Sequence, residues 1–328
     1  RFCVGTVETL KGEAERRGVD LRDELIKFYE QCYSSDIMRL VVYGNHSLDQ
    51  LTEWAVSKFS AVPSKGDTRV KLPGHLLTKS ELGRMIRIQS LDKVYVIRLV
   101  FPFEDMHPWF KEKPVSYVRS LLAHTGVGSL AHYLKKRGWS HAIEADNMSE
   151  VRFCDNIMGI IVSATKEGMA HWQDVVRAVF AYIQVLKKEG PQQWFYDEIS
   201  TSRATKFRFR QAQSAISLVT SLSEHMHDMY VPPSNATSTI AQLREFNAPL
   251  ISHYLDMLNP DNMCIFFLQQ DFDMELTETE PHMDVKYRVD AIGQEFLSEL
   301  RGELLYEGLH LPDRNPFISE NLDMEKPA

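Results

Sequence analysis

The sequence predicts an α+β fold: an antiparallel or mixed sheet packed against long helices, preceded by an incomplete α+β domain. Three observations predict it. A glycine-hinged pair of amphipathic helices between Pro114 and Trp139 feeds an extended segment. Apolar strand-like runs flank a helical block from Lys166 to Leu258. Ahead of both, one compact apolar run and two amphipathic helices supply too little sheet to cover two apolar faces.

Taken in order, Phe2 to Leu10 alternate loosely, which predicts an extended piece before a polar loop. Asp20 is placed to cap a helix whose inward stripe is Leu21, Leu25, Phe28 and Cys32. The run from Ile37 to Tyr43, closed by Gly44, reads as a buried strand. Ser47 and Gln50 have the spacing of a capping box opening a helix through Leu48, Leu51, Ala55 and Phe59. Prolines, glycine and charges without period mark a boundary between Val62 and Pro73. The expected organisation is therefore an incomplete first domain over 1–66, a linker over 67–83, a second α+β domain over 84–318 and a tail over 319–328.

Two strands are expected near Met85 to Gln89 and Lys93 to Phe101. Pro114 suits a first helical turn, and Tyr117, Val118, Leu121 and Leu122 recur at helical steps. After Gly126 and Gly128, Ser129 caps a second helix with Leu130, Tyr133 and Leu134 inward and Lys135, Lys136 and Arg137 at its negative end. Gly138 is placed for a left-handed C-cap. Trp139, His141, Ile143 and Ala145 alternate as one face of a half-buried strand, and Val151 to Ser163 pairs with it as a more central strand. A wide apolar face from Trp172 to Leu186 and a second long helix through Trp194, Ile199 and Phe207 follow, with a break at Pro232 and Pro233. Met263 to Leu268 and Val285 to Val289 return to strand, and a short helix follows around Phe296 to Leu300.

With 44% hydrophobic and 25% charged residues the composition is that of an ordinary globular protein. A net charge of -8 argues against general nucleic-acid affinity, which rests on phosphate neutralisation. No apolar run is long enough to cross a bilayer. Cys3, Cys32, Cys154 and Cys264 are isolated in apolar surroundings, which favours buried reduced thiols and a cytoplasmic address. The chain begins at Arg1 in mid-pattern, so sequence upstream, including any targeting segment, is expected.

Neither HExxH nor HxxEH occurs, so no catalytic or metal-binding residue is assigned within this chain. His225 and His227, two residues apart, point in different directions on a helix and read as surface or loop histidines. His124 reads as a histidine hydrogen-bonded beside the glycine hinge. GVGS at 126–129 follows a helix and lacks the lysine of a phosphate loop, so packing and hinge roles explain it. RATKFRFRQ sets Arg203, Lys206 and Arg210 on one helix face with Phe207 and Phe209 interleaved, read as a solvated face with buried aromatics.

The stretch HTGVGSLAHYLKKRGW resembles the HxGxGSLxxxLKxxGW signature in the second domain of the insulysin and pitrilysin family of zinc metallopeptidases. FCVGTVETL, GVDLRDELIKFYEQCYSS and LHLPDRNPFI are similar to the same family's text in the same order, so the resemblance spans essentially the whole chain. It implies a fragment of a zinc metalloendopeptidase, the end of the catalytic-type first domain and nearly all of the second, in an enzyme that cleaves peptides with zinc-activated water inside a closed chamber. The zinc motif would lie upstream, leaving this fragment inactive alone. Implied partners are peptide substrates, the remainder of the same polypeptide and a second copy of the intact enzyme, with no nucleic acid and no membrane.

The resemblance further implies an exosite that anchors a peptide by adding a strand to a sheet edge. Its residues here would be Ile143, Glu144 and Ala145 on the strand, with Ser116 and Ala123 from the neighbouring helix. The chain departs from insulysins in carrying alanine for glycine at 123 and 145, and serine for histidine at 116 and 120. A non-catalytic scaffold or regulatory relative and a stand-alone peptide-binding module are the alternative functions.

Overall fold

The computed structural model describes residues 5–66, 77–148, 156–228, 230–239, 241–319 and 322. The chain divides into two compact units, Arg1–Pro73 with Gln211–Thr237, and Gly74–Arg210 with Ser238–Ala328. In chain order a π-helical turn, Glu8–Gly12, runs into α1 (Glu13–Arg16), followed by α2 (Leu21–Cys32) and α3 (Leu48–Phe59). Next come β1 (Arg84–Gln89), β2 (Tyr95–Phe103), α4 (Pro114–Leu122), α5 (Leu130–Lys136), β3 (Ser140–Met148) and β4 (Asn156–Ala164). The helical block contains α6 (Lys166–Ala170), α7 (Trp172–Glu189), α8 (Gln193–Arg208), α9 (Ala215–His225) and α10 (Ala248–Asp256). β5 (Cys264–Gln269), β6 (Glu278–Thr279), β7 (Lys286–Ala291) and α11 (Gln294–Arg301) follow.

One mixed sheet of the order β3-β4-β2-β5-β1-β7-β6 organises the second unit. Only β1 and β5 run parallel; the other neighbours are antiparallel. Along β2 the side chains alternate, with Ile97, Leu99, Phe101 and Phe103 fully buried under the helices and Arg98 on the opposite face. Helix α7 lays Val175, Val176, Val179, Phe180, Ile183 and Leu186 onto that face, with Phe180 edge-on to Phe101. Trp172 completes the core between Phe267 and Phe296. The expected α+β architecture with a mixed sheet and long helices is what forms.

The first unit departs from several local expectations. Asp20 does cap α2, its carboxylate accepting from the amides of Arg22 and Asp23, but Leu21, Leu25 and Phe28 stay exposed. The segment expected to be extended up to Leu10 is helical from Glu8, held by bonds between Thr6 and Thr9 and by Glu8 and Glu13 pairing with Arg16; residues 2–4 lie outside the described residues. The strand expected over 37–43 is instead a 3-10 turn at Ser35–Ile37, then extended backbone with no ladder partner among the described residues. Leu40, Val42 and Tyr43 are exposed there, because a strand is buried only when a neighbour and a covering layer are present. The capping box at α3 is half made: Ser47 accepts from the Gln50 amide, while the Gln50 side chain turns to Glu53.

Two corrections fall in the second unit. A β-bulge between Ser140 and Ala142 shifts the register of β3, so Ser140 is buried and His141 faces solvent, against the simple alternation. Helix α8 ends at Arg208, which leaves Arg210 off the helix and Phe209 exposed; the aromatics instead stack under guanidinium groups, Phe207 with Arg210 and Phe209 with Arg208. Among the cysteines, Cys264 is buried as a free thiol and Cys32 is half-buried, whereas Cys3 and Cys154 lie outside the described residues.

Candidate docking edge

The helix hinge forms as its chemistry dictates. Pro114 opens α4, which buries Val115, Tyr117, Val118, Leu121 and Leu122. The Tyr117 hydroxyl accepts from the Gln192 amide at 2.7 Å, and its ring meets Phe195 edge-on. At the hinge the Gly126 amide donates to His124 Nδ1 at 3.1 Å, and burial pulls the His124 pKa down. Gly128 sits at φ +83, where only glycine is unstrained. Ser129 then caps α5 by accepting from the His132 amide.

The far end of α5 is a Schellman stop. The Trp139 amide donates to the Leu134 carbonyl and the Gly138 amide to that of Lys135, with Gly138 at φ +71. This turn aims the chain into β3, one of the two edge strands of the sheet.

The five residues expected to line an exosite lie on two neighbouring elements, α4 and β3. Ser116 is half-buried on α4, its carbonyl accepting from Ser120 Oγ at 2.8 Å, and Ala123 ends that helix half-buried against the core. On β3, Ile143 and Ala145 point into the core and Glu144 faces solvent. The strand is anchored from its polar face as well: Arg98 Nη2 on β2 donates to Asp146 Oδ2 at 2.8 Å, passing over Gly159 of β4. A Cβ at Gly159 would overlap that carboxylate.

Sequence reasoning missed what surrounds this edge. Arg119 Nε donates to the Ala145 carbonyl at 2.7 Å, so a helix side chain already serves the outermost strand. Arg203 of α8 is half-buried and makes no hydrogen bond or ion pair among the described residues; burial and the charge of Arg119 push its pKa down. Lys113, left-handed at φ +46 ahead of Pro114, donates to the Thr239 carbonyl. Burial, then Arg203 and Arg244, bring the Lys113 pKa down to about 8. No sequence spacing announces this cluster, because its members come from three separate segments.

LHLPDRN forms a strap. Leu309 is buried, the His310 amide donates to the Gly128 carbonyl, Arg314 lies over the Trp194 ring, and the Asn315 amide donates to Glu198. The family-like stretch from Leu309 therefore packs against the one at the glycine hinge.

Among the described residues no three His, Cys, Asp or Glu side chains gather as a metal ion requires, so these side chains do not fit a zinc site. His225 and His227 are half-buried in the first unit at and just beyond the end of α9. Among the described residues no helix is long and apolar enough to cross a membrane.

Comparison with known proteins gives a consistent likeness. A family model described as the peptidase M16 inactive domain matches residues 20–202, and one described as the middle or third domain of peptidase M16 matches residues 207–328. The insulin-degrading enzyme of Drosophila melanogaster is 30% identical over 99% of this chain and 32% of its own length. The A-factor-processing enzyme of Saccharomyces cerevisiae is 28% identical over 99% of this chain and 31% of its own. The crystal structure of pitrilysin superposes with a TM-score of 0.88 at 24% identity, covering 98% of this chain and 34% of that one, which establishes the shared fold. The chain thus spans about a third of the length of the curated relatives it matches.

Proposed function

Because the chain belongs to the peptidase M16 family, we propose that it is part of a zinc metalloendopeptidase of the insulysin and pitrilysin type, one that degrades peptides inside a closed chamber. In this reading residues 84–318 supply chamber wall and a docking edge, and the remainder of the same polypeptide supplies zinc, its ligands and the cover for the exposed apolar faces of α2 and α3. A homodimer of the intact enzyme and a reducing, cytoplasmic setting for its thiols belong to the same proposal.

The observation that carries it is β3. It is an edge strand of the sheet, paired with β4 alone among the described strands, and it packs against α4 and α5. Strand addition there draws affinity from main-chain hydrogen bonds, so Ser116, Ala123, Ile143, Glu144 and Ala145 shape the fit rather than react.

The test is binding and turnover on the same preparation. A labelled extended peptide is expected to bind the chain, binding is expected to weaken on Ala145→Trp in protein whose circular dichroism matches that of the parent, since Ala145 packs in the core, and no chelator-sensitive cleavage is expected. Chelator-sensitive turnover by this chain, or binding indifferent to Ala145→Trp, overturns the reading.

A second reading has one observation behind it: the model matching residues 20–202 is described as an inactive domain. A non-catalytic scaffold or regulatory relative would then be the intact protein. Zinc content and peptide cleavage of the full-length polypeptide separate the two.

A further inference from the structure

Helix α5 and the 305–310 segment bound an open groove of about 810 Å3, lined by His132, Tyr133, Lys136, Arg137, Tyr306 and Glu307. Tyr133 is only 6% exposed; its ring meets Tyr306 edge-on at 5.6 Å and carries the Arg137 guanidinium 3.8 Å from its centroid. Stacking uses the flat face of a guanidinium and leaves the N–H groups in its plane for oxygen acceptors. The chain supplies none: among the described residues neither Arg137 nor Lys136 makes an ion pair or a side-chain hydrogen bond, Glu307 on the same groove included. His310 fixes another part of the wall, its amide donating to the Gly128 carbonyl at 3.0 Å and its Nδ1 to the Leu311 carbonyl at 2.7 Å. Val127 and Leu305, 62% and 81% exposed, add apolar surface to the same lining.

The needs of the helix end do not account for these cations. The Lys135 and Leu134 carbonyls at the end of α5 already accept from the amides of Gly138 and Trp139, and a cation that only complements the helix dipole needs no stacked geometry. A guanidinium held on a buried ring, with a lysine beside it and no acceptor of the chain's own, is organised for a planar pair of oxygens from elsewhere.

We propose that this groove docks an acidic segment of a partner polypeptide, with an aspartate or glutamate carboxylate on Arg137 and Lys136 and a neighbouring apolar side chain against Val127 and Leu305. Charge complementarity selects an anion, and the rest of the lining selects its class. Glu307 repels a multiply charged phosphate more strongly than a single carboxylate, and it accepts hydrogen bonds from peptide N–H groups. The exposed valine and leucine match an apolar side chain and have no counterpart on a phosphate backbone. At -8 overall the chain draws no polyanion from a distance, so the preference is local to the groove. The proposal does not depend on strand addition at β3.

The experiment measures fluorescence anisotropy of a short labelled peptide with two adjacent glutamates beside a leucine, and of its glutamine counterpart, on the whole chain at low ionic strength. The glutamate peptide is expected to bind about tenfold more tightly, the scale of one charge-assisted hydrogen-bonded pair, and the preference to shrink as salt is added. Arg137→Gln and Lys136→Gln are each expected to cut the preference several-fold, Arg137→Lys to cut it less, and Lys286→Gln on β7, towards the other edge of the sheet, to leave it unchanged. Both groove cations are exposed, and circular dichroism checks that each variant is folded. Equal binding of the two peptides, binding of neither, or a preference unchanged in both glutamine variants of the groove overturns the proposal. A labelled single-stranded oligonucleotide that binds as tightly as the glutamate peptide makes the groove a general polyanion surface, and displacement by inorganic phosphate where equal acetate leaves the peptide bound makes it a phosphate site; either result overturns it. Self-association of the chain that Arg137→Gln abolishes, read by sedimentation velocity, gives the groove to a second copy and overturns it as well.

Discussion

The amide of His310 donates to the carbonyl of Gly128 at 3.0 Å, while the His310 ring covers the place where a side chain at 128 would begin. Gly128 is therefore fixed twice, by its φ of +83 and by the strap lying on it. Gly128→Ala is expected to destabilise the chain by about 2–4 kcal/mol, the sum of left-handed strain and overlap. In a His310→Ala background the same substitution should cost only the strain, about 1 kcal/mol. Urea unfolding of the four proteins in the cycle checks it, and an additive result would show that the ring is not what excludes alanine.

Glycines 138 and 168 make a second comparison, since each is needed for one reason alone. Gly138 has φ +71 and open space around it, so Gly138→Ala should cost about 1 kcal/mol of conformational strain. Gly168 lies in α6 with ordinary helical geometry, yet a Cβ there would overlap the Trp139 carbonyl oxygen. That oxygen accepts from the Thr165 amide and belongs to the turn entering β3, so it cannot withdraw freely. Gly168→Ala is expected to be the more damaging of the two, by about 1–3 kcal/mol. Comparison of the unfolding midpoints decides it.

These glycines also mark how far the sequence could be read. Gly138 was legible because a glycine after a run of helical leucines and lysines has a known role in ending helices; Gly168 was not, because its partner is a backbone atom twenty-nine positions away, Trp139 being visible only as an aromatic. The sheet was legible for the same reason as Gly138: β2, β4 and β5 are apolar runs whose period is local. The 37–43 run carried the same pattern and failed, since a strand also needs a neighbour that no local pattern reports. At the candidate site, the elements carrying Ser116, Ala123 and Ile143 to Ala145 could be anticipated from a family-like signature. The Arg119 bond to Ala145 and the company of Arg203 could not, because they depend on how α4, α8 and β3 pack.

Arg203 should be a residue the fold does better without. Its stem packs on α8 while its charge is half-buried and opposed by Arg119. Methionine keeps most of the apolar stem and removes the charge. Arg203→Met is therefore expected to raise the thermal midpoint, by roughly 1–3 °C, since it removes a half-buried charge and keeps most of the apolar stem. A lower midpoint would mean that Arg203 is already satisfied within the fold.

Lys113 carries a pH signature with a definite sign. Its pKa lies at about 8 in the folded chain, pulled down by burial first and by Arg203 and Arg244 after it, from an ordinary value of 10.5. Below about pH 8 the side chain is charged in both the folded and the unfolded chain, so the full cost of burying that charge is present. Between about 8 and 10.5 the unfolded chain binds more protons than the folded one, and stability from this group rises with pH. Above that window the cost is gone. Lys113→Met removes the titration and keeps a side chain of similar length at the same left-handed position. It also loses the bond to the Thr239 carbonyl, so the informative quantity is how the stability difference changes with pH, rather than its size at one pH. Wild type should gain on the variant as pH rises through the window, in urea midpoints taken near neutrality and near pH 10; a difference that stays constant would place the Lys113 ammonium in solvent.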